Sequence, residues 1–128
     1  MNRWAGPAVV AGGVVAATAA LRLRDPHVEG SWGICPWKVL TGWDCPGCGG
    51  LRAVNDLSHG DVVAAASSNF AFVALVPVLV VAWLLWVRRT ATGRRARPVP
   101  GWVWTAGLIA LGVFTVLRNT PAGFWLAS

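Results

Sequence analysis

The sequence predicts an all-α integral membrane protein with three transmembrane helices. A short interfacial helix is expected within an extracytoplasmic, cysteine-rich loop. Three observations carry this. The 128 residues are 55% hydrophobic and only 12% charged, with a mean hydropathy of +0.56, whereas soluble domains carry about 25% charged residues. The apolar residues fall into three blocks without a single charge, 4–21, 62–87 and 98–117, of 18, 26 and 20 residues. A helix needs roughly 20 apolar residues to cross a hydrocarbon core of about 30 Å. Finally, Arg88, Arg89, Arg94, Arg95 and Arg97 crowd the connection 88–97, and short Arg-rich connections stay in the cytoplasm.

With that connection inside, the second span runs inward and the third runs back out. The N-terminus with Arg3 is then cytoplasmic, and the loop 22–61 and the C-terminal "NTPAGFWLAS" are outside. A chain of this length supports one domain, residues 1–128. The net charge of +6 does not signal nucleic acid, because no aromatic or glycine motif for base contact accompanies the arginines. The expected partners are the lipid bilayer, whose anionic headgroups suit the basic connection, and a membrane protein or further copies of this chain.

Each element has its own sequence signal. The first apolar run has an alternative reading as a cleaved signal peptide, with "ATA" at 17–19 as its cleavage site. Its length and the row Ala8, Gly12, Ala16, Ala20 favour a retained span, since small residues every four positions admit a neighbouring helix. The second run opens on Gly60 and Asp61, a good N-cap, and its 26 residues reach about 39 Å, so it must tilt or protrude. Pro77 is expected to kink it. Asn69 is expected either to bond across to a partner helix or to sit at the watery interface. The third run carries Gly107, Gly112, Ala106 and Ala110 for close packing. Trp83, Trp86, Trp102 and Trp104 towards the inner side, and Trp125 towards the outer, suit an aromatic belt. Trp32, Trp37 and Trp43 would lay the cysteine loop on the headgroups.

Between Gly49 and Gly60 the segment "GLRAVNDLSH" fits a short amphipathic helix. Leu51, Val54 and Leu57 fall on one side, and Arg52, Asn55, Asp56 and His59 on another. Arg52 and Asp56 read as an i, i+4 ion pair, His59 as a C-terminal cap, and His27 as a solvated loop residue.

All three cysteines, Cys35, Cys45 and Cys48, lie in this loop, in "CPWKVLTGWDCPGC". Three chemistries fit them. A structural disulfide suits an oxidising exterior and leaves one thiol over; joining Cys35 to Cys45 or Cys48 would tie down the most chain. A metal site would use Cys35, Cys45 and Cys48, with His59, Asp44 or His27 as fourth ligand and zinc as the ion. A redox pair, Cys45 and Cys48, would rely on the following helix to stabilise the Cys48 thiolate, with Arg52 one turn on. The residues leave these alternatives open.

The stretch "CPWKVLTGWDCPGCGGLRAV", with Gly60, Asp61 and Asn69 beyond it, resembles the bacterial membrane proteins grouped as the domain of unknown function DUF2752. Cys35, Pro36, Thr41, Gly42, Cys45, Pro46, Cys48, Gly49, Arg52, Gly60, Asp61 and Asn69 match the family's pattern. Leu51 stands where Thr is usual, and Phe70 stands where Pro is common, which is expected to leave the start of the second span less kinked. The resemblance implies a small multi-pass protein of the bacterial cytoplasmic membrane in which Cys35, Cys45, Cys48 and Arg52 act as one unit. It supplies no activity. No nucleotide loop, HExxH or CxxCH motif occurs. The expected role is therefore non-enzymatic: an accessory or scaffold subunit whose loop is fixed by a disulfide or metal, with Arg52, Asp61 and Asn69 in structural or interaction roles. The alternative is a membrane thiol-disulfide oxidoreductase or metal handler working through Cys45 and Cys48.

Overall fold

A computed structural model describes residues 3–95 and 97–126. Met1, Asn2, Ala96, Ala127 and Ser128, the ends of the 1–128 domain and one position of the 88–97 connection, lie outside the described residues. All regular structure among the described residues is helical: α1 (Ala5–Leu23), α2 (Pro36–Thr41), α3 (Gly50–Ser58), α4 (Val62–Thr92), α5 (Gly101–Arg118) and a closing 3₁₀ turn, Pro121–Leu126. Three of these, α1, α4 and α5, are long and apolar enough to cross a membrane.

The long helices outrun the charge-free blocks. α1 takes in Arg22, α4 takes in Arg88 and Arg89, and α5 ends on Arg118. Helix ends follow backbone hydrogen bonds, and the long arginine stem lets the charge leave the apolar layer without ending the helix.

At 31 residues, α4 would measure about 46 Å if straight. It is not straight. Asn69 has non-helical φ −161° and ψ 92°, so Val62–Ser68 forms one short piece and the residues from 70 on form another of membrane-spanning length. Pro77 lies within helical backbone, and the sharp break in α4 falls at Asn69. Phe70, in place of proline, does not straighten the start of the span. The break comes from Asn69's side chain, whose Oδ1 accepts from Phe72 N at 2.9 Å and caps the second piece. Asp61 caps the first piece as expected, its Oδ1 accepting from Ala64 N at 2.8 Å.

The chain ends of the helices define two poles. At one, α1 and α4 meet where Trp83 Nε1 donates to Pro7 O at 3.2 Å. The Trp86 ring lies so close to Gly6 that a Cβ there would come within 2.8 Å of it. These two tryptophans thus tie helices together as well as flanking the apolar blocks. The contact does not use the row Ala8, Gly12, Ala16, Ala20. Gly12, Gly107 and Gly112 all face open space, so the small-residue rows of α1 and α5 lie on outward faces. A bulky Trp86 against one glycine holds α1 and α4 together at this pole.

At the other pole, α3 packs across the first turns of α4 and the last turns of α1. Ala53 and Ala65 are fully buried there. The amphipathic helix has its expected extent, and its polar side is the one turned towards the protein. Leu51 is 46% exposed while Asn55 and Asp56 are buried. Asn55 Nδ2 donates to Leu21 O at 2.8 Å, satisfying an orphan carbonyl at the end of α1. Asp56 accepts from Ser68 Oγ at 3.0 Å and meets His27 Nε2 at 3.3 Å. Arg52 does not pair with Asp56; its Nε donates to Pro26 O at 3.4 Å. His27 bridges Asp25 and Asp56, a tie between loop and helix where simple solvation was expected.

Polarity is therefore inverted relative to a soluble domain. Among the described residues the buried apolar side chains are Pro7, Leu21, Pro26, Ala53 and Ala65, all but Leu21 small or cyclic, while Asp44, Asn55, Asp56, Asn69 and Arg118 are buried polar ones. The large apolar side chains of the spans are mostly exposed, as with Val9 and Leu108 at 72% and 71%. Bilayer-facing helices have this distribution, because lipid, unlike water, does not drive apolar groups inward.

Candidate metal centre

The site forms where a tight turn is bolted onto the heads of two long helices. Cys45–Cys48 closes as a turn, with Cys48 N donating to Cys45 O at 3.1 Å and Pro46 at the position where a fixed φ suits it. Gly49 follows at φ 78°, a left-handed conformation open to glycine and strained for other residues. It turns the chain directly into α3. Cys45 N also points at Cys48 Sγ, 3.3 Å away.

Three side chains from distant sequence hold this turn by its carbonyls. Asn69 Nδ2 donates to Pro46 O at 2.9 Å and to Cys48 O at 3.0 Å. Arg118 NH1, at the end of α5, donates to Cys45 O at 2.9 Å and Cys48 O at 3.1 Å. Next to it, Asn119 Nδ2 donates to Asp44 O at 2.9 Å, and its Oδ1 accepts from Asp44 N at 2.8 Å. Asn119's amide thus pairs with one residue's backbone as a neighbouring strand would. Asn69 is 1% exposed and bonds to this turn, which differs from both expectations for it, a partner helix or interfacial water.

Gly123 locks the end of α5 that carries Arg118 and Asn119. A Cβ at Gly123 would press into the backbone of Leu117, against its carbonyl oxygen. The 3₁₀ turn therefore folds back on the helix terminus only because this residue lacks a side chain.

Cys35 reaches the same place from the other side of the loop. It precedes α2 as its N-cap, with Pro36 at the first helical position. Its sulfur lies 3.5 Å from Cys45 Sγ, which lies 2.9 Å from Cys48 Sγ. All three sulfurs fall within 4.8 Å of one another. The side chains are free thiols.

The environments of the sulfurs differ. The backbone N–H of Lys38, in the first turn of α2, holds the Cys35 thiol below its ordinary pKa, helped by the Cys45 and Cys48 thiols. Burial, then the neighbouring thiols, push Cys48 up to about 12. The expected helix-stabilised sulfur was Cys48 ahead of α3; the one that a helix N-terminus serves is Cys35 ahead of α2. The reason is local. α2 presents its first amides to Cys35, whereas Cys48 is tucked under the turn whose carbonyls Asn69 and Arg118 occupy.

None of the three proposed fourth ligands joins the sulfurs. His59 is the C-cap of α3, its Nδ1 2.8 Å from Asn55 O. Asp44 pairs with Lys38 Nζ at 2.7 Å, and His27 sits between Asp25 and Asp56. The sulfurs instead open onto a groove of about 770 Å³ lined by Arg52, Trp32, Ile34 and Leu51 among others. Arg52, expected to act with the cysteines, shares this groove with them without bonding to them.

Sequence reasoning missed Arg118 and Asn119 altogether. Arg118 is 1% exposed, packs its guanidinium 5.2 Å from the Phe114 ring, and keeps Nε and NH2 buried without a hydrogen-bond partner among the described residues. A span ending in Arg-Asn gives no hint of this, since basic residues commonly end helices. Only the return of the loop over α5 turns them into clamps.

A family model described as a protein of unknown function, DUF2752, matches residues 35–83. The matched region begins at Cys35 and takes in the cysteine turn, α3 and the broken start of α4. It stops before α5, so Arg118 and Asn119 lie beyond it. Neither a search of curated proteins nor one of solved structures finds a match.

Proposed function

We propose that this chain is a small, non-enzymatic membrane protein whose loop 22–61 is held in shape by a metal ion, zinc by donor type, on Cys35, Cys45 and Cys48. The observation that carries the proposal is the convergence of all three sulfurs within 4.8 Å. A disulfide leaves one of them without a role; an ion uses every one. The Cys45–Cys48 separation of 2.9 Å does not choose between the two, lying midway between a bond of about 2.05 Å and the roughly 3.8 Å that a tetrahedral ion with Zn–S near 2.3 Å imposes. The 3.5 Å from Cys35 to Cys45 is already close to the second value.

Charge supports the same reading. Arg118 is a buried cation without a carboxylate partner among the described residues, an arrangement of high cost unless charge faces it. Three thiolates on a divalent ion carry a net negative charge, and two of them belong to Cys45 and Cys48, the residues whose carbonyls Arg118 binds. The wider setting we propose is a bacterial cytoplasmic membrane, with the Arg88–Arg97 connection inside and the cysteine loop and C-terminus outside. The loop, with exposed Trp37 and Trp43, and the outward small-residue faces of α1 and α5 would serve an accessory or scaffold role towards a partner membrane protein or further copies of the chain.

The test is bound metal and free thiols counted on one sample, purified in mild detergent without reductant or chelator. One ion per chain, with thiols alkylated only after chelation, is the expected result. One disulfide, one free thiol and no ion would overturn the metal reading. A second reading, a thiol-disulfide oxidoreductase, draws on the Cys45–Cys48 approach and on the depressed Cys35 thiol. It requires that Cys45→Ser and Cys48→Ser abolish an activity while the protein still accumulates; the metal reading expects lower abundance from both.

A further inference from the structure

If Cys35, Cys45 and Cys48 hold an ion as proposed, the protein fills three of four tetrahedral positions, and the fourth belongs to something else. Structural zinc sites close all four with protein donors; a site with three is open. The residues nearest in sequence to a fourth ligand are engaged elsewhere: Asp44 with Lys38, His27 with Asp25 and Asp56, His59 at the end of α3. The three sulfurs line a groove of about 770 Å³, within the range of about 300–1,000 Å³ that small organic ligands occupy. Trp32, Ile34, Leu51, Arg52 and Glu29 are among its lining residues. Among the described residues Arg52 bonds through Nε, in a long bond of 3.4 Å to Pro26 O.

We infer that this groove binds a small organic thiol that also carries an acidic group. An all-sulfur donor set selects soft partners, so a thiolate suits the open position better than a carboxylate or hydroxyl. The thiol gives its proton to solvent, its sulfur bonds to the ion, and no electron changes hands. The acidic group then meets the guanidinium of Arg52, whose planar fork matches a carboxylate, while the stem lies along Trp32 and Ile34. Arg118, beneath the turn, already balances the three protein thiolates, and Arg52 balances the added charge.

The experiment uses the full chain in detergent, loaded with Co²⁺ in place of zinc, with 3-mercaptopropionate as probe and 2-mercaptoethanol as its counterpart without the acid. Saturable growth of the sulfur-to-cobalt charge-transfer band, by about one third as a fourth sulfur joins three, is expected with either. Half-saturation should come at about tenfold lower concentration for 3-mercaptopropionate, the value of one charge-assisted contact, and Arg52→Gln should erase that advantage while Arg52→Lys keeps part of it. Should Arg52→Gln fail to load cobalt, the comparison of the two thiols on the unaltered protein decides alone. An unchanged spectrum at millimolar thiol, or loss of cobalt from the protein to the thiol, overturns this inference and leaves the three-cysteine site standing. Failure to bind Co²⁺ or Zn²⁺ at all removes both.

Discussion

Replacing Asn69 by alanine removes three hydrogen bonds at one stroke, and their separate fates set the size of the effect. The bond from Asn69 Nδ2 to Cys48 O is partly covered, because Arg118 NH1 also reaches that oxygen at 3.1 Å. Pro46 O has no such substitute among the described residues, but Pro46 is exposed, so water replaces the lost donor and the cost is that of one net hydrogen bond, about 1 kcal/mol. Phe72 N loses the cap that Oδ1 provides, typically worth about 1 kcal/mol. Alanine also favours continuous helix through position 69, so the break that points α4 at the turn is weakened. Together these give a loss of about 2 kcal/mol. Asn69→Asp is the sharper variant. It keeps the cap on Phe72 but turns an acceptor towards two carbonyl oxygens, and should destabilise at least as much as alanine. The assay is reversible unfolding of the detergent-solubilised protein by SDS titration, read by tryptophan fluorescence, with zinc affinity measured on the same variants. A loss below about 0.5 kcal/mol for Asn69→Ala, or an Asn69→Asp variant as stable as the original, would refute the view that Asn69 clamps the cysteine turn.

Four further expectations test the rest of the site. Arg118→Met keeps the bulk of the side chain and removes its charge, so zinc affinity should fall at least tenfold, with Arg118→Lys intermediate because it restores charge without the fork; a competition titration with a chromogenic chelator reads this. In the reduced, metal-free protein, Cys35 should be alkylated first and Cys48 last, as mass spectrometry of peptides from a timed reaction at neutral pH would show. Because the Cys48 thiol keeps its proton up to about pH 12 in the fold but releases it near 9 when unfolded, the unfolded state binds fewer protons across that interval. Its contribution to stability, complete below pH 9, should therefore be lost as pH rises towards 12, and metal should abolish this loss. Gly123→Ala, which drives a Cβ into the Leu117 backbone, should lower stability by several kcal/mol if the 3₁₀ turn stays in place; an unfolding midpoint unchanged from that of the original protein would mean the turn does not hold the end of α5.

A three-thiol site opening on a groove also gives a physical account of Gly47 and Gly49 beside the cysteines. Gly49 supplies the left-handed backbone that ends the turn, and Gly47, where a Cβ would lie 3.8 Å from Cys45 Sγ, keeps the groove wall low over the sulfur. A side chain there would meet the sulfur at ordinary contact distance, so Gly47 bears on access to the groove and little on folding.

The three apolar blocks were legible in the sequence because hydrocarbon thickness imposes a length that composition alone reveals. The cap on α4 at Asp61 was legible for a similar reason: it depends on residues three positions apart. The amphipathic helix was half legible. Periodicity located Gly50–Ser58, but periodicity cannot say whether an apolar stripe faces protein or bilayer, and beside a membrane the usual inference reverses. Leu51 is exposed while Asn55 and Asp56 face inward, because the ends of α1 and α4 offer them unpaired polar groups. The break at Asn69 was not legible, since a proline announces itself in sequence and an asparagine that breaks a helix to reach a carbonyl elsewhere in the chain does not. The gathering of cysteines in one loop was visible in sequence, and a shared site for them was an expectation it left open. The clamp of Asn69, Arg118 and Asn119 around that loop rests on hydrogen bonds between residues tens of positions apart. Such contacts leave no local pattern, so only the tertiary fold decides them.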